Sequence, residues 1–168
     1  MQPSRFIVIR DYGLRKAVHQ IFEAANKRAA DSYEGAQAER YSSLKLEGIL
    51  EAPQNLCVLC DRENERGHGL GRQTMPETAV YSTVCAIQNF WLAARSEGVG
   101  VGWVSILDPA QLSNVLNIPD HLTLVAYLCF GYVEGFASEP DLERFGWERR
   151  MDLKSVVSYD RYSEGCAP

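Results

Sequence analysis

The sequence predicts a layered α/β domain, and three observations carry that expectation. Four short apolar or β-branched runs read as strands, at residues 5–10, 56–59, 103–106 and 122–133. Between them lie longer segments whose apolar residues recur at the spacing of one helix face. The resulting order is strand, helix, helix, strand, helix, strand, helix, strand, then a polar tail, which suits helices layered on a sheet rather than two packed sheets. At 168 residues, with 46% hydrophobic and 23% charged residues, the chain has the size and composition of a single globular domain. A chain of this length buries roughly 70% of its unfolded surface, so a core forms without metals or disulfides.

The first strand, residues 5–10, follows Gln2-Pro3-Ser4 almost at once. An apolar-centred strand needs neighbours, so the natural domain is expected to begin earlier. Residues 12–30 read as an amphipathic helix with Leu14, Ala17, Val18, Ile21, Phe22 and Ala25 on one face; Arg15, Lys16, Lys27 and Arg28 fall elsewhere and are expected in solvent. Residues 31–35 break the pattern. Residues 39–51 read as a second helix, with Tyr41, Leu44, Ile49 and Leu50 apolar and Pro53 as the stop. The run at 56–59 is a buried strand.

Residues 61–72 are polar and glycine-rich, in the order Arg66-Gly67-His68-Gly69-Leu70-Gly71-Arg72. The lysine and hydroxyl that close a P-loop are missing. Two readings stand: a surface loop, or a lid offering His68 and Arg72 to an anion. Thr74 and Glu77 have capping-box spacing, and Pro76 suits a first turn, so a helix is expected from there to about Glu97. Its broad apolar surface, with Val80, Val84, Ile87, Trp91 and Ala94 in one stripe and Tyr81, Cys85 and Leu92 beside it, suits a central helix facing the core or a second subunit. Gln88 within it reads as a satisfied core amide.

Gly98, Gly100 and Gly102 then fall at every second position before Trp103 and Ser105. Glycine allows close backbone approach and positive φ. The stretch is either a tight turn packed on its own helix or a cradle of backbone N–H groups for a planar, polar-edged ligand. Asp108 caps a short helix with Pro109 in its first turn, running to about Leu116. His121 lies in an exposed turn. The tail carries Arg144, Arg149 and Arg150 around Trp147, a set that fits either a solvated end or a phosphate.

The net charge of −5 argues against nucleic acid or an anionic membrane as the main partner. No apolar run is long enough to span a bilayer, and the cytoplasm is the expected location. The five cysteines, Cys57, Cys60, Cys85, Cys129 and Cys166, are odd in number and scattered, as suits a reducing compartment. Cys57 and Cys60 are three apart on a strand and point to opposite faces, so neither a redox pair nor a metal site is expected.

Taken together, Gln2-Pro3-Ser4-Arg5-Phe6-Ile7-Val8-Ile9, Leu44-Lys45-Leu46-Glu47-Gly48-Ile49, Gly67-His68-Gly69-Leu70-Gly71-Arg72-Gln73-Thr74-Met75-Pro76-Glu77 and Gly100-Val101-Gly102-Trp103-Val104-Ser105-Ile106 resemble the aerobic 5,6-dimethylbenzimidazole synthase (BluB) family of the flavin-dependent, nitroreductase-like superfamily. The resemblance runs over nearly the whole chain. It implies an α+β sandwich with a central, mostly antiparallel sheet flanked by helices, and a homodimer with FMN at the subunit interface. It also implies an oxygen-dependent reaction in which reduced FMN is the substrate and is broken down to 5,6-dimethylbenzimidazole, the lower ligand of cobalamin, and erythrose 4-phosphate. A separate flavin reductase would supply the reduced FMN.

Position by position, the resemblance implies that Ser105 is the active-site serine, positioning the reacting oxygen and relaying protons. It places Gly102, Trp103 and Val104 at the flavin edge through their backbone, Gln2, Pro3 and Ser4 along the flavin, and Lys45 and Leu46 at a further contact. Arg150 would reach the phosphate, and residues 67–72 would close over the site. The family also carries an arm before the Gln-Pro segment, with an Arg-Arg-Asp-Val-Arg motif that these 168 residues do not contain, and usually has tryptophan where Ser4 stands. Two other readings remain open on sequence: an NAD(P)H-dependent nitroreductase or flavin reductase, and a non-catalytic flavin-binding dimer.

Overall fold

The computed structural model describes residues 2–162; Met1 and Cys166 lie outside the described residues. The described chain forms two compact units, one of residues up to Ser32 with Lys45–Phe136, the other of Tyr33–Leu44 with the residues from Ala137. In the first unit the elements are β1 (Ser4–Ile9), α1 (Tyr12–Ala30), β2 (Gln54–Asp61), α3 (Thr78–Ser96), β3 (Val99–Val104), α4 (Pro109–Val115) and β4 (Leu122–Tyr132). The second unit holds α2 (Gly35–Ser43), the short α5 (Asp141–Arg144) and a 3-10 turn, Leu153–Ser155.

The four strands make one sheet in the order β1-β2-β4-β3, and every pairing is antiparallel. β1 runs from Ser4 opposite Cys60 to Ile9 opposite Asn55. β3 runs from Val99 opposite Tyr132 to Val104 opposite Tyr127. Strand residues alternate between faces, and each face has its own apolar cluster. On one face Ile9, Cys57, Leu59, Tyr127 and Cys129 pack with Val18, Ile21 and Phe22 of α1 and Leu112 of α4. On the other, Leu56, Val58, Ala126 and Leu128 pack with Ile87 of α3, joined by Phe90 and Trp91. The result is the expected α+β sandwich: α1 and α4, sheet, α3.

The capping chemistry explains where α1 and α4 begin. The Asp11 carboxylate accepts from the Leu14 N–H at 2.7 Å, and Asp108 accepts from the N–H groups of Ala110 and Gln111, both at 3.0 Å. Those hydrogen bonds, led by that of Gln111, hold the Asp108 carboxyl below its ordinary range. α1 ends with Lys27 and Arg28 in its last turn, the signs that its dipole favours.

Several expectations are corrected here. The helix expected at 39–51 is instead α2, Gly35–Ser43, followed by an irregular segment. The Glu47 carboxylate accepts from the Ile49 N–H at 2.6 Å, a local bond that competes with a helix, and Gly48 weakens one further. Arg15, expected in solvent, is buried; its Nε donates to the Ile49 carbonyl at 2.9 Å, and its Nη2 donates to Ile49 at 2.7 Å, to Leu50 at 3.0 Å and to Ala52. Leu14 takes the exposed side of α1 instead. Thr74 and Glu77 form no capping box: α3 starts at Thr78, Glu77 makes no side-chain cap, and successive turns occupy the preceding residues. Gln88 is exposed rather than buried, as are Tyr81, Val84 and Leu92 on the same helix.

In the second unit Trp147 packs edge-on against Tyr33, with ring centroids 5.2 Å apart, and against Tyr41 at 5.9 Å. Tyr41 is buried, and burial pushes its hydroxyl pKa up. Arg144 pairs with Asp141 at 3.3 Å one helical turn away.

Two outcomes follow from this packing. Arg15→Met is expected to lose about 3 kcal/mol of stability, because a charged donor set is removed and buried carbonyls lose their partners. Urea denaturation measures this, and Arg15→Lys, with one ammonium in place of a fork, should recover only part of it; an unchanged midpoint for both would remove Arg15 from the account. Cys57, Cys60 and Cys129 are buried free thiols, and burial raises the Cys57 pKa to about 12 and the Cys129 pKa to about 11. Since the thiolate is the reactive form, alkylation of the folded protein near pH 8 followed by peptide mapping should label Cys85, which is exposed, and leave these three unmodified.

Candidate functional site

The start of β1 builds one wall of a cleft of about 520 Å³ lined by Gln2, Ser4, Arg5, Phe6, Arg66, Ser82 and Ala86. Pro3 is fully buried, and its carbonyl accepts from the Asp61 N–H at 2.8 Å, extending the β1–β2 ladder by one bond. Pro3 therefore fixes the segment, while Gln2 and Ser4 on either side of it line the cleft. The Ser4 hydroxyl donates to Thr83 Oγ1 at 3.4 Å, tying β1 to α3. Arg5 pairs with Asp61 at 2.7 Å and donates to the carbonyls of Gln2 and Ser4 at 3.3 and 3.1 Å.

Lys45 and Leu46 lie on the irregular segment that Arg15 holds. Lys45 is exposed and paired with Glu51. Leu46 packs on the apolar cluster of which Val104, at the end of β3, is also a member. His19 of α1 lies between Glu23 and Glu47, its Nδ1 3.5 Å from the first and its Nε2 3.8 Å from the second.

At β3 the three alternate glycines serve different ends. Gly98 ends α3 with φ +74, where glycine is favoured. Gly100 and Gly102 lie inside the strand rather than in a turn. A Cβ on Gly100 would stand 2.6 Å from Val133 Cγ1, so any larger residue there would have to displace the Val133 side chain. A Cβ on Gly102 would meet nothing closer than the Cys129 carbonyl oxygen at 3.9 Å, and its φ is not positive. The fold of this chain gives no reason for glycine at 102. Trp103 is 37% exposed, Val104 is buried, and Ser105, immediately after the strand, is exposed.

The glycine-rich loop is a run of turns. Gly67, His68, Gly69 and Gly71 all have positive φ, and the N–H groups of Leu70 and Arg72 each donate three residues back at 3.0 Å. Leu70 at its crown is 84% exposed. The base of the loop is pinned: Asn64 Nδ2 donates to the Gln2 carbonyl at 3.1 Å, and Asn64 Oδ1 accepts from the Arg66 N–H at 2.9 Å. Of the two residues expected to meet an anion, His68 is exposed on the crown, and Arg72 lines a separate cleft of about 310 Å³ with Arg62, Gly69, Gln73 and Pro76. Arg66, at the first cleft, carried no sequence signal beyond its place in the loop.

The structure thus brings Gln2 and Ser4 to the base of the loop, and packs Leu46 on the apolar cluster of one sheet face. It does not bring Gln2 and Ser4 to Gly102 and Ser105: β1 and β3 are opposite edges of the sheet, roughly 14 Å apart over three strand spacings. Arg150 belongs to the second unit and is exposed. Among the described residues no cluster of His, Cys, Asp or Glu could hold a metal ion, and no helix is long and apolar enough to cross a membrane.

A model of the nitroreductase family matches residues 1–132. The chain is 45% identical over 149 residues to a 5,6-dimethylbenzimidazole synthase of Rhodospirillum rubrum, covering 89% of this chain and 71% of that one. It is 44% identical over 150 residues to a 5,6-dimethylbenzimidazole synthase of Rhodobacter capsulatus, covering 89% and 72%. Among solved structures, oxidized iodotyrosine deiodinase bound to FMN and 3-iodo-L-tyrosine superposes with a TM-score of 0.70 at 20% identity, covering 96% of this chain and 78% of that one. That last likeness concerns the fold alone. An antiparallel sheet between helices and the match over residues 1–132 set the class: the chain belongs to the nitroreductase family. Within it, the relatives at 44 and 45% identity set the branch, that of the 5,6-dimethylbenzimidazole synthases.

The contrast between the two strand glycines is testable by denaturation. Gly100→Ala should cost about 1–3 kcal/mol through overpacking against Val133, whereas Gly102→Ala should be neutral or stabilising by up to about 1 kcal/mol, the usual cost of glycine in a strand. Equal losses at both positions would return Gly102 to a purely structural role.

Proposed function

We propose that this chain catalyses the oxygen-dependent fragmentation of reduced FMN to 5,6-dimethylbenzimidazole and erythrose 4-phosphate, the step that makes the lower ligand of cobalamin. The observation that carries this reading is the 45% identity to a curated synthase over 89% of the chain. The donor set fits FMN. The amide of Gln2, the hydroxyl of Ser4 and the guanidinium of Arg66 line one cleft, and Gly102 leaves open the space that a side chain would fill beside the end of β3. When bound and reduced, FMN supplies both the electrons that dioxygen takes up and the carbon skeleton of the product.

The chain's own residues then divide the work. Gln2 and Ser4 line the ring, and the backbone from Gly102 to Val104 meets its polar edge. Lys45 and Leu46 add a side contact, and Arg150 meets the phosphate. Ser105, exposed just after β3, holds the reacting oxygen in place and passes protons at its hydroxyl; a hydroxyl is a poor base by itself, so positioning is its main contribution. The 67–72 arc closes over the ring, and Leu70 at its crown gains a surface to cover, which excludes water during the reaction.

Two copies complete the site. One chain holds Gln2 and Ser4 at one sheet edge and Gly102 and Ser105 at the other, so a ring between protomers draws one set from each. The apolar side chains of Phe6, Val8, Tyr81 and Leu92 are all more than half exposed in the single chain and form the face that a partner would cover. A flavin reductase working separately renews the reduced FMN consumed at each turnover.

The experiment mixes the purified protein with reduced FMN, admits air, and follows 5,6-dimethylbenzimidazole by mass spectrometry. The product is expected from the wild type, with a loss of about 100-fold or more for Ser105→Ala and unchanged FMN binding by that variant. Recovery of intact oxidised FMN alone would overturn the synthase reading, and steady NADPH oxidation with the flavin intact would put the chain with the flavin reductases.

A further inference from the structure

The base of the glycine-rich loop and its crown have different anchoring. From Asp61 to Arg66 the backbone is tied down: the Asn64 N–H donates to the Asp61 carbonyl at 3.4 Å, and the Asn64 side chain bridges the Gln2 carbonyl and the Arg66 N–H at 3.1 and 2.9 Å. Positive φ begins only at Gly67 and recurs through Gly71. The arc beyond Arg66 is tied back to the same base: the His68 N–H donates to the Glu65 carbonyl at 3.0 Å and Arg72 Nη1 donates to the Arg62 carbonyl at 3.3 Å. Arg66 belongs to the pinned base that forms one wall of the cleft.

Two arginines line that cleft, and their charges are not equivalent. Arg5 is neutralised by Asp61 at 2.7 Å. Arg66 has no carboxylate partner among the described residues, so it sets the positive charge of a cleft otherwise lined by an amide, hydroxyls and apolar surface. Asn64 fixes the Arg66 backbone and so places its side chain beside the cleft, and the fork of a guanidinium fits a two-oxygen or oxygen–nitrogen anion edge bidentately.

We propose that Arg66 is a flavin-contacting residue: held in place by Asn64, its guanidinium meets an anionic group of FMN in the cleft lined by Gln2 and Ser4. The proposal rests on the FMN reading above. FMN offers two such groups, the phosphate and the ring itself once reduced and deprotonated, and both present the anion edge that the fork accepts.

The test is direct binding, independent of turnover. Oxidised FMN, oxidised riboflavin and, under anaerobic conditions, dithionite-reduced FMN and reduced riboflavin are titrated against the wild type, Arg66→Ala, Arg66→Lys and Asn64→Ala. Thermal denaturation confirms that each variant is folded. Arg66→Ala should weaken FMN binding by about tenfold, the loss of one charge-assisted pair. Arg66→Lys should recover part of the loss, and Asn64→Ala should show a smaller loss in the same direction. A loss for FMN in both redox states but not for riboflavin assigns the contact to the phosphate. A loss confined to reduced flavins, riboflavin included, assigns it to the ring. If Arg66→Ala binds every flavin as the wild type does, the proposal is overturned while the FMN reading stands. If the wild type binds no flavin in either redox state, both fall together.

Discussion

The buried guanidinium of Arg15 is the constraint on which the candidate site depends. It projects from α1 into the carbonyls of Ile49, Leu50 and Ala52, whose segment forms neither helix nor strand. A backbone that leaves regular structure inside a protein must find partners for its polar groups, or lose about 1–3 kcal/mol for each one stranded. Arg15 supplies several donors from one side chain, in the fixed fork that a lysine lacks. The Glu47 carboxylate closes the turn from the other side through the Ile49 N–H. The backbone just after Lys45 and Leu46 is thereby held, and Leu46 packs on the cluster of which Val104 is a member.

The sheet supplies the second constraint. Its two central strands, β2 and β4, carry the most deeply buried residues, among them Val58, Leu128 and Tyr127. Its edges carry the candidate site residues. Within the centre, Asn55 is wholly buried and its Oδ1 accepts from the Tyr127 hydroxyl at 2.8 Å, a neutral bond in a setting where burial pushes the tyrosine pKa up. Ionisable groups are kept neutral in the middle of the sheet, whereas its margins carry charge, as in the Arg5–Asp61 pair. Such a division suits a protein whose chemistry takes place at its edges.

How much of this was legible in the sequence depended on whether the deciding interaction was local. The bounds of α1, the Asp108 cap and the length of β4 were readable because periodicity and capping act within a few residues. The helix expected at 39–51 met a local competitor, the Glu47 carboxylate at the Ile49 N–H, and a distant one that periodicity does not show: Arg15 takes the carbonyls of Ile49 and Leu50 from 34 and 35 residues away. Arg15 itself was misplaced for the same reason, since a charge on a helix reads as solvated unless its long-range acceptors are known. Thr74 and Glu77 had the right spacing for a cap, but the positive-φ turns running to Gly71 carry the chain past it before α3 begins. The resemblance to a family named Ser105, Gly102 and Gln2; it did not name Arg66, whose place at the cleft is a matter of the chain's own fold.

Local rules are broken at several points of this chain, and the places coincide with the candidate site. Gly102 weakens an edge strand with no packing neighbour to require it. Leu70 leaves an aliphatic side chain in solvent at the crown of a loop. Arg66 stands in a cleft without a carboxylate, while nearby Arg5 has one. On the proposed reading a bound flavin would answer all three: a flat ring would lie where Gly102 has no side chain, the loop carrying Leu70 would cover it, and an anionic group would meet Arg66. Sequences depart from local consistency mainly where function asks for it. The departures here share one explanation, whereas a purely structural account would need a separate reason for each.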